Sequence, residues 1–93
     1  MIQAVADIIS TEAEGQGINH IFAPVLDLAR ELRWGRVEET YGEDHYLAGV
    51  IGKAYIDGLQ NGVRRNATGE GERKRMAATC KHFAAFGSPQ GGL

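Results

Sequence analysis

The sequence predicts an α/β chain in which one helix is followed by a β-α-β unit. Three observations predict it. Apolar residues recur at spacings of three and four over residues 1–15 and again over 44–60, which is the period of an amphipathic helix. Two short apolar stretches, residues 18–25 and 76–83, stand on either side of the second helical pattern. Strands separated by a helix pair in parallel through a right-handed crossover.

Each element has a local cause. In the first helix Ile2, Val5, Ile8 and Ile9 gather on one side and Glu12 lies on the other, and Gly15 and Gly17 stop it. Residues 18–25, Ile-Asn-His-Ile-Phe-Ala-Pro-Val, form the kind of apolar run that strands buried on both faces carry, with Pro24 expected at its end. Residues 26–42 hold Asp27, Arg30, Glu31 and Arg33 without a strong period, so they read as a long ordered loop. Long loops inside compact domains are commonly functional.

Asp44 is a suitable N-cap for the second helix, along which Leu47, Val50, Ile51, Ala54, Tyr55 and Leu59 recur until Asn61-Gly62 ends it. Residues 64–75 are polar and turn-rich, with Asn66, Gly69 and Gly71 among basic side chains, and read as a solvated connection. Residues 76–83 are the second strand, followed by a glycine-rich loop from Gly87 to Gly92.

A helix plus a β-α-β unit amounts to about a third of a (β/α)8 TIM barrel of typical size, roughly 250 residues. Such a piece leaves two sheet edges and the apolar faces of its helices uncovered. The expectation is therefore a partial barrel, with residues 1–93 a fragment of a longer parent chain.

Composition narrows the function classes. The 93 residues are 43% hydrophobic, and 10 basic against 12 acidic side chains give a formal charge of -2 and a pI near 5.9. That balance offers no global attraction for nucleic acid or an anionic membrane surface, so neither is expected as a partner. No apolar run approaches the roughly 20 residues of a spanning helix. The single cysteine, Cys80, excludes an internal disulfide framework. Cys80, His20, His45 and His82 lack zinc-site spacing, and Gly15-Gln16-Gly17 has His20 where a dinucleotide fingerprint needs its third glycine, so no metal or cofactor is expected. Asn66-Ala67-Thr68 would accept a glycan only in a secretory host. The basic residues Arg64, Arg65, Arg73, Lys74 and Arg75 are interspersed with Glu70 and Glu72, the pattern of a solvated surface.

The chemistry concentrates in two segments. The loop Trp34-Gly35-Arg36-Val37-Glu38-Glu39 places a guanidinium beside an indole, and Lys81-His82-Phe83 places an ammonium beside an imidazole. In a parallel barrel both would lie at the C-terminal ends of strands, where active sites are built. Arg36 can offer two parallel N–H donors to neighbouring hydroxyls or to a carboxylate, and Trp34 can stack on a pyranose. The alternative for Arg36 is an ion pair with Glu38, Glu39 or Glu43 inside its own loop; for His82 it is a satisfied core histidine, and for Lys81 a surface charge. Adjacent side chains on a regular strand point to opposite faces. Lys81 and His82 can both reach the barrel mouth only if the backbone departs from regularity there, through a non-prolyl cis peptide or a bulge.

Taken together, Gly-Ile-Asn-His-Ile-Phe-Ala-Pro-Val-Leu-Asp-Leu from Gly17, Arg-Trp-Gly-Arg, Tyr-Gly-Glu-Asp and Lys-His-Phe with the glycine-rich tail resemble the family 3 glycoside hydrolases, which include many β-glucosidases. The resemblance implies a TIM-barrel first domain in which Arg36, Lys81 and His82 bind the sugar next to the scissile bond. It also implies retaining hydrolysis of terminal β-D-glucosyl or β-xylosyl residues in a β-glycoside or oligosaccharide substrate, without a cofactor. The nucleophilic aspartate and the acid/base carboxyl are expected outside this sequence, in the rest of the barrel and the C-terminal domain of the parent chain, so the isolated 93 residues are expected to be inactive. Asp27 and Glu43 stand near the site without an assignable role. After Lys-His-Phe the chain continues Ala84-Ala85-Phe86-Gly87 rather than Pro-Gly-His-Gly, which sets it apart from the N-acetylglucosaminidase branch. The alternative is a non-catalytic carbohydrate-binding or inactive barrel fragment.

Overall fold

The computed structural model describes residues 1–65, 71–73 and 76–93. Helix α1, Ile2–Gly15, leads to strand β1, His20–Ile21. A long irregular segment follows, broken only by a 3-10 turn at Val37–Glu39, before helix α2, His45–Asn61. Strands β2, Val63–Arg65, and β3, Gly71–Arg73, precede strand β4, Ala77–Ala78, and a last 3-10 turn covers Gln90–Gly92. α2 begins where Asp44 caps it, the carboxylate accepting the Leu47 main-chain N–H at 2.8 Å.

β1 and β4 pair in parallel, His20 opposite Ala77 and Ile21 opposite Ala78, with α2 between them in the chain. The expected β-α-β unit is present. Its strands are shorter than residues 18–25 and 76–83 would allow. After Ile21 regular pairing lapses and resumes only as a parallel bridge between Val25 and Lys81. Between the two pairings the first strand spends one residue more than the second. Pro24, which has no N–H to donate, lies inside that interruption rather than closing the strand. The Thr79 N–H is shared between the carbonyls of Ile21 and Ala23, at 3.1 and 3.0 Å. The Lys81 N–H then bonds the Pro24 carbonyl at 3.1 Å, and Leu26 donates back to the Lys81 carbonyl at 2.6 Å.

Residues 64–65 and 71–73 differ from the expected solvated connection. β2 and β3 form an antiparallel ladder, Val63 opposite Arg73 and Arg65 opposite Gly71. A ladder satisfies the backbone locally whatever the side chains are, so the polar composition concealed it. Asn66 to Glu70, with the glycosylation tripeptide, and Lys74 and Arg75 lie outside the described residues.

The core sits between the two helices and the sheet. Ala6 of α1, Leu59 of α2 and Met76 just before β4 are fully or almost fully buried, with Ile9, Ala13, Ile21, Tyr55 and Ala78 packed around them. Close approach of the helices requires a small residue: a Cβ at Gly58 would collide with the Gln3 carbonyl and the Ala6 methyl. The buried Ser10 hydroxyl donates to the Leu59 carbonyl at 3.0 Å, tying α1 to the end of α2. The opposite side of the sheet is open, with Phe22 exposed. Among the described residues no helix is long and apolar enough to cross a membrane.

Candidate functional site

The C-terminal ends of β1 and β4 carry both charged segments. The parallel bridge holds Val25 against Lys81, so the loop after β1 and the residues after β4 leave the sheet side by side. The peptide bond between Lys81 and His82 is cis, one of the two irregularities that the sequence left open there.

His82 is held by Asp27. One carboxylate oxygen, Oδ2, accepts the His82 main-chain N–H at 3.0 Å and faces ring Nδ1 at 2.7 Å. The Asp27 side chain is only 2% exposed and that of His82 23%. A buried carboxylate must be paired, and this one is.

Arg36 is engaged within its own loop, as one alternative reading of the sequence held. Nε and Nη2 meet the two oxygens of Glu39 at 2.6 and 2.8 Å. This side-on contact draws the Glu39 carboxyl below its usual range, and the nearby Lys81 ammonium acts in the same direction. In return it raises the Arg36 guanidinium further above its already high value. The Lys81 ammonium has no hydrogen-bond partner among the described residues, although its main chain is locked on both sides.

Phe86 joins the cluster. The Arg36 guanidinium lies 5.7 Å from its ring centroid, His82 meets it edge-to-face at 4.8 Å, and Trp34 does so at 5.2 Å. Phe86 is 42% exposed and Trp34 only 6%. The expectation that Trp34 could stack on a sugar is therefore corrected: the indole is buried as support, and the aromatic surface that reaches solvent belongs to Phe86. A cleft of about 310 Å³ opens beside Asp27 and His82, walled by Leu26, Arg30, Ala85 and Ser88. A larger opening of about 560 Å³, between the start of α1 and the end of α2, shares no residue with it.

Sequence reasoning singled out Arg36, Lys81 and His82 and offered Glu39 among three possible partners of Arg36, but it missed Phe86 and gave Asp27 no partner. For Asp27 there was a signal. A lone acid within the apolar run Val-Leu-Asp-Leu-Ala is seldom buried unless paired, and a buried position demands a partner.

The glycosyl hydrolase family 3 N terminal domain matches residues 1–92. The chain belongs to glycosyl hydrolase family 3. A periplasmic β-glucosidase of Salmonella typhimurium is 33% identical over 98% of this chain and 11% of its own length. A β-xylosidase of Formosa agariphila is 38% identical over the whole chain and 12% of its own length. Among solved structures, a mutant β-glucosidase from Listeria innocua in complex with laminaribiose superposes with a TM-score of 0.83 at 39% identity, over 99% of this chain and 12% of that one. The same enzyme in complex with isofagomine gives 0.83 at 41% identity. This family 3 chain thus spans 11 to 12% of the length of these relatives.

Proposed function

We propose that residues 1–93 are part of the N-terminal barrel domain of a retaining β-glycosidase acting on terminal β-D-glucosyl or β-xylosyl residues. Arg36, Lys81 and His82 hold the sugar in the subsite beside the scissile bond. The observation that carries this reading is that Arg36 and His82, 46 residues apart in the chain, both lie against the ring of Phe86, with Lys81 next to His82 at the end of a parallel strand pair. Donors in fixed positions beside an exposed aromatic ring suit a ligand with a polar rim and an apolar face, which describes a pyranose.

The carboxylates that break the bond come from elsewhere in the parent chain. Asp27 is buried beneath His82 and Glu39 is bound to Arg36, so neither is free to attack an anomeric carbon. In the retaining mechanism an aspartate attacks that carbon as the glycosidic C–O bond breaks and a carboxylic acid protonates the leaving oxygen. The same group then deprotonates a water that releases the sugar from the glycosyl-enzyme. The present residues would orient the sugar for both steps and supply no covalent chemistry.

The test is nitrophenol release by the complete parent enzyme from 4-nitrophenyl β-D-glucoside, β-D-xyloside and N-acetyl-β-D-glucosaminide. Turnover of one of the first two is expected. A folded enzyme that turns over none of them would overturn the hydrolase reading and leave a sugar-binding scaffold.

A further inference from the structure

We propose that Asp27 is a positioning residue that fixes the tautomer of His82 and so makes this imidazole a hydrogen-bond acceptor for a sugar hydroxyl. The inference rests on the reading of His82 as a sugar contact. An ionised carboxylate can only accept hydrogen bonds, and Asp27 Oδ2 already accepts the His82 main-chain N–H. Nδ1, 2.7 Å from the same oxygen, must therefore carry its hydrogen. Which nitrogen of a neutral imidazole is protonated follows from the bond the other one makes. Here Nε2 is left with its lone pair, and it has no partner among the described residues. Phe86 against the ring and the main-chain bond at the same carboxylate together restrict ring rotation.

The consequence is complementarity. Lys81 and Arg36 can only donate, and the oxygens of Glu39 are engaged by Arg36. A sugar hydroxyl both accepts and donates. A site of cations alone would leave each bound hydroxyl hydrogen without a partner, and an Nε2 lone pair supplies one.

Two measurements on the complete parent enzyme test this, with 4-nitrophenyl β-D-glucoside or the xyloside, whichever it hydrolyses faster. The first is a cycle of Asp27→Ala, His82→Ala and the double variant. Asp27→Ala should lower kcat/KM by about tenfold in the native background, the scale of one hydrogen bond to a charged or fixed partner, and by less than about twofold once His82 is absent. Equal losses in both backgrounds would mean that Asp27 acts structurally, and would overturn the proposal. A His82→Ala enzyme within about twofold of native would instead overturn the sugar contact itself, and the proposal with it. If Asp27→Ala does not fold, Asp27→Asn decides. Its amide oxygen can take both N–H bonds, and the main-chain donor keeps that oxygen toward the ring, so activity within about threefold of native is expected. A loss as large as that of His82→Ala would refute the argument.

The second measurement compares substrates fluorinated in place of single hydroxyls at C-3 and C-4. Fluorine cannot donate, so at the hydroxyl facing Nε2 the loss should be at least about fivefold larger in native enzyme than in His82→Ala. No such difference at either position would overturn the acceptor role.

Discussion

Arg36 and Glu39 face each other side-on, Nε to Oε1 at 2.6 Å and Nη2 to Oε2 at 2.8 Å, so the carboxylate fixes the plane of the guanidinium. Two of the five N–H donors are used in the pair and three remain for a ligand. An ion pair inside the loop and a sugar contact are therefore compatible, although the sequence presented them as alternatives. Arg36→Lys keeps the charge and loses the fork, because an ammonium cannot hold a carboxylate side-on and reach a second partner in the same plane. The expected result in the complete enzyme is a loss of roughly ten- to a hundredfold in kcat/KM, corresponding to about 1.5 to 3 kcal/mol. Steady-state kinetics on the nitrophenyl glycoside checks this, and a change under about twofold would remove Arg36 from the site.

A second ion pair gives the same loop a pH dependence. Glu31 accepts from Arg33 Nε and Nη2, at 2.9 and 2.8 Å, and from the Arg33 main-chain N–H at 2.9 Å. The Arg33 side-chain bonds, and then the main-chain bond, hold its carboxyl down from 4.5 to about 2. A carboxyl whose folded pKa is depressed contributes stability that is complete above the unfolded value and is lost as pH falls through the folded one. The window is thus pH 4.5 down to about 2. Both groups are solvent-accessible, so the contribution is small and screened by salt. Unfolding midpoints of native and Glu31→Gln enzyme should differ at pH 5 and converge as the pH falls toward 2, with a smaller difference in about 1 M salt. A gap that does not change with pH would exclude Glu31 as its source.

Gly87 supports the other half of the site. It is buried, and a Cβ there would lie 2.5 Å from the Leu28 carbonyl oxygen and 3.1 Å from the Asp27 Cβ. Backbone cannot yield as a flexible side chain does, so Gly87→Ala must displace the segment that carries Asp27. The expected cost is about 1 to 3 kcal/mol of stability, with KM rising as His82 loses its support. Differential scanning calorimetry with steady-state kinetics checks both. An alanine variant of native stability and native KM would show that the loop absorbs the methyl group elsewhere.

These features differ in how far they could be read from the chain. The capped start of α2 was legible because its cause is local: Asp44 stands three residues before the N–H that it accepts. Parallel pairing of the two apolar stretches was legible from the helix between them. The length of the strands was not, since the register shift around Pro24 depends on how Thr79 and Lys81 share their N–H groups with the carbonyls of Ile21, Ala23 and Pro24. Asp27 could be placed near the site but given no task, because its partner His82 lies 55 residues away. Trp34 was misread for the opposite reason. Its chemistry suits a sugar, and only the position of Phe86 over it, at 5.2 Å, determines which of the two rings meets solvent.

That division of labour between the two rings separates stability from binding. Trp34 is buried against Phe86, so truncating it to alanine removes packing, and losses of about 3 to 5 kcal/mol are usual for large aromatic side chains in such positions. Phe86 is 42% exposed and touches the guanidinium of Arg36 and the imidazole of His82, so its removal frees two groups of the proposed site at modest cost to the core. Phe86→Leu keeps an apolar side chain over Trp34 while abolishing the ring faces that hold the cation and the imidazole. Its unfolding midpoint should stay within a few degrees of native while KM for the glycoside rises about three- to tenfold, the scale of one lost aromatic contact of about 0.5 to 1.5 kcal/mol. Trp34→Phe should do the reverse, lowering the midpoint with less change in KM. If Trp34→Phe raises KM at unchanged stability while Phe86→Leu leaves KM native, the sugar meets the indole, and the burial of Trp34 beneath Phe86 does not describe the bound state.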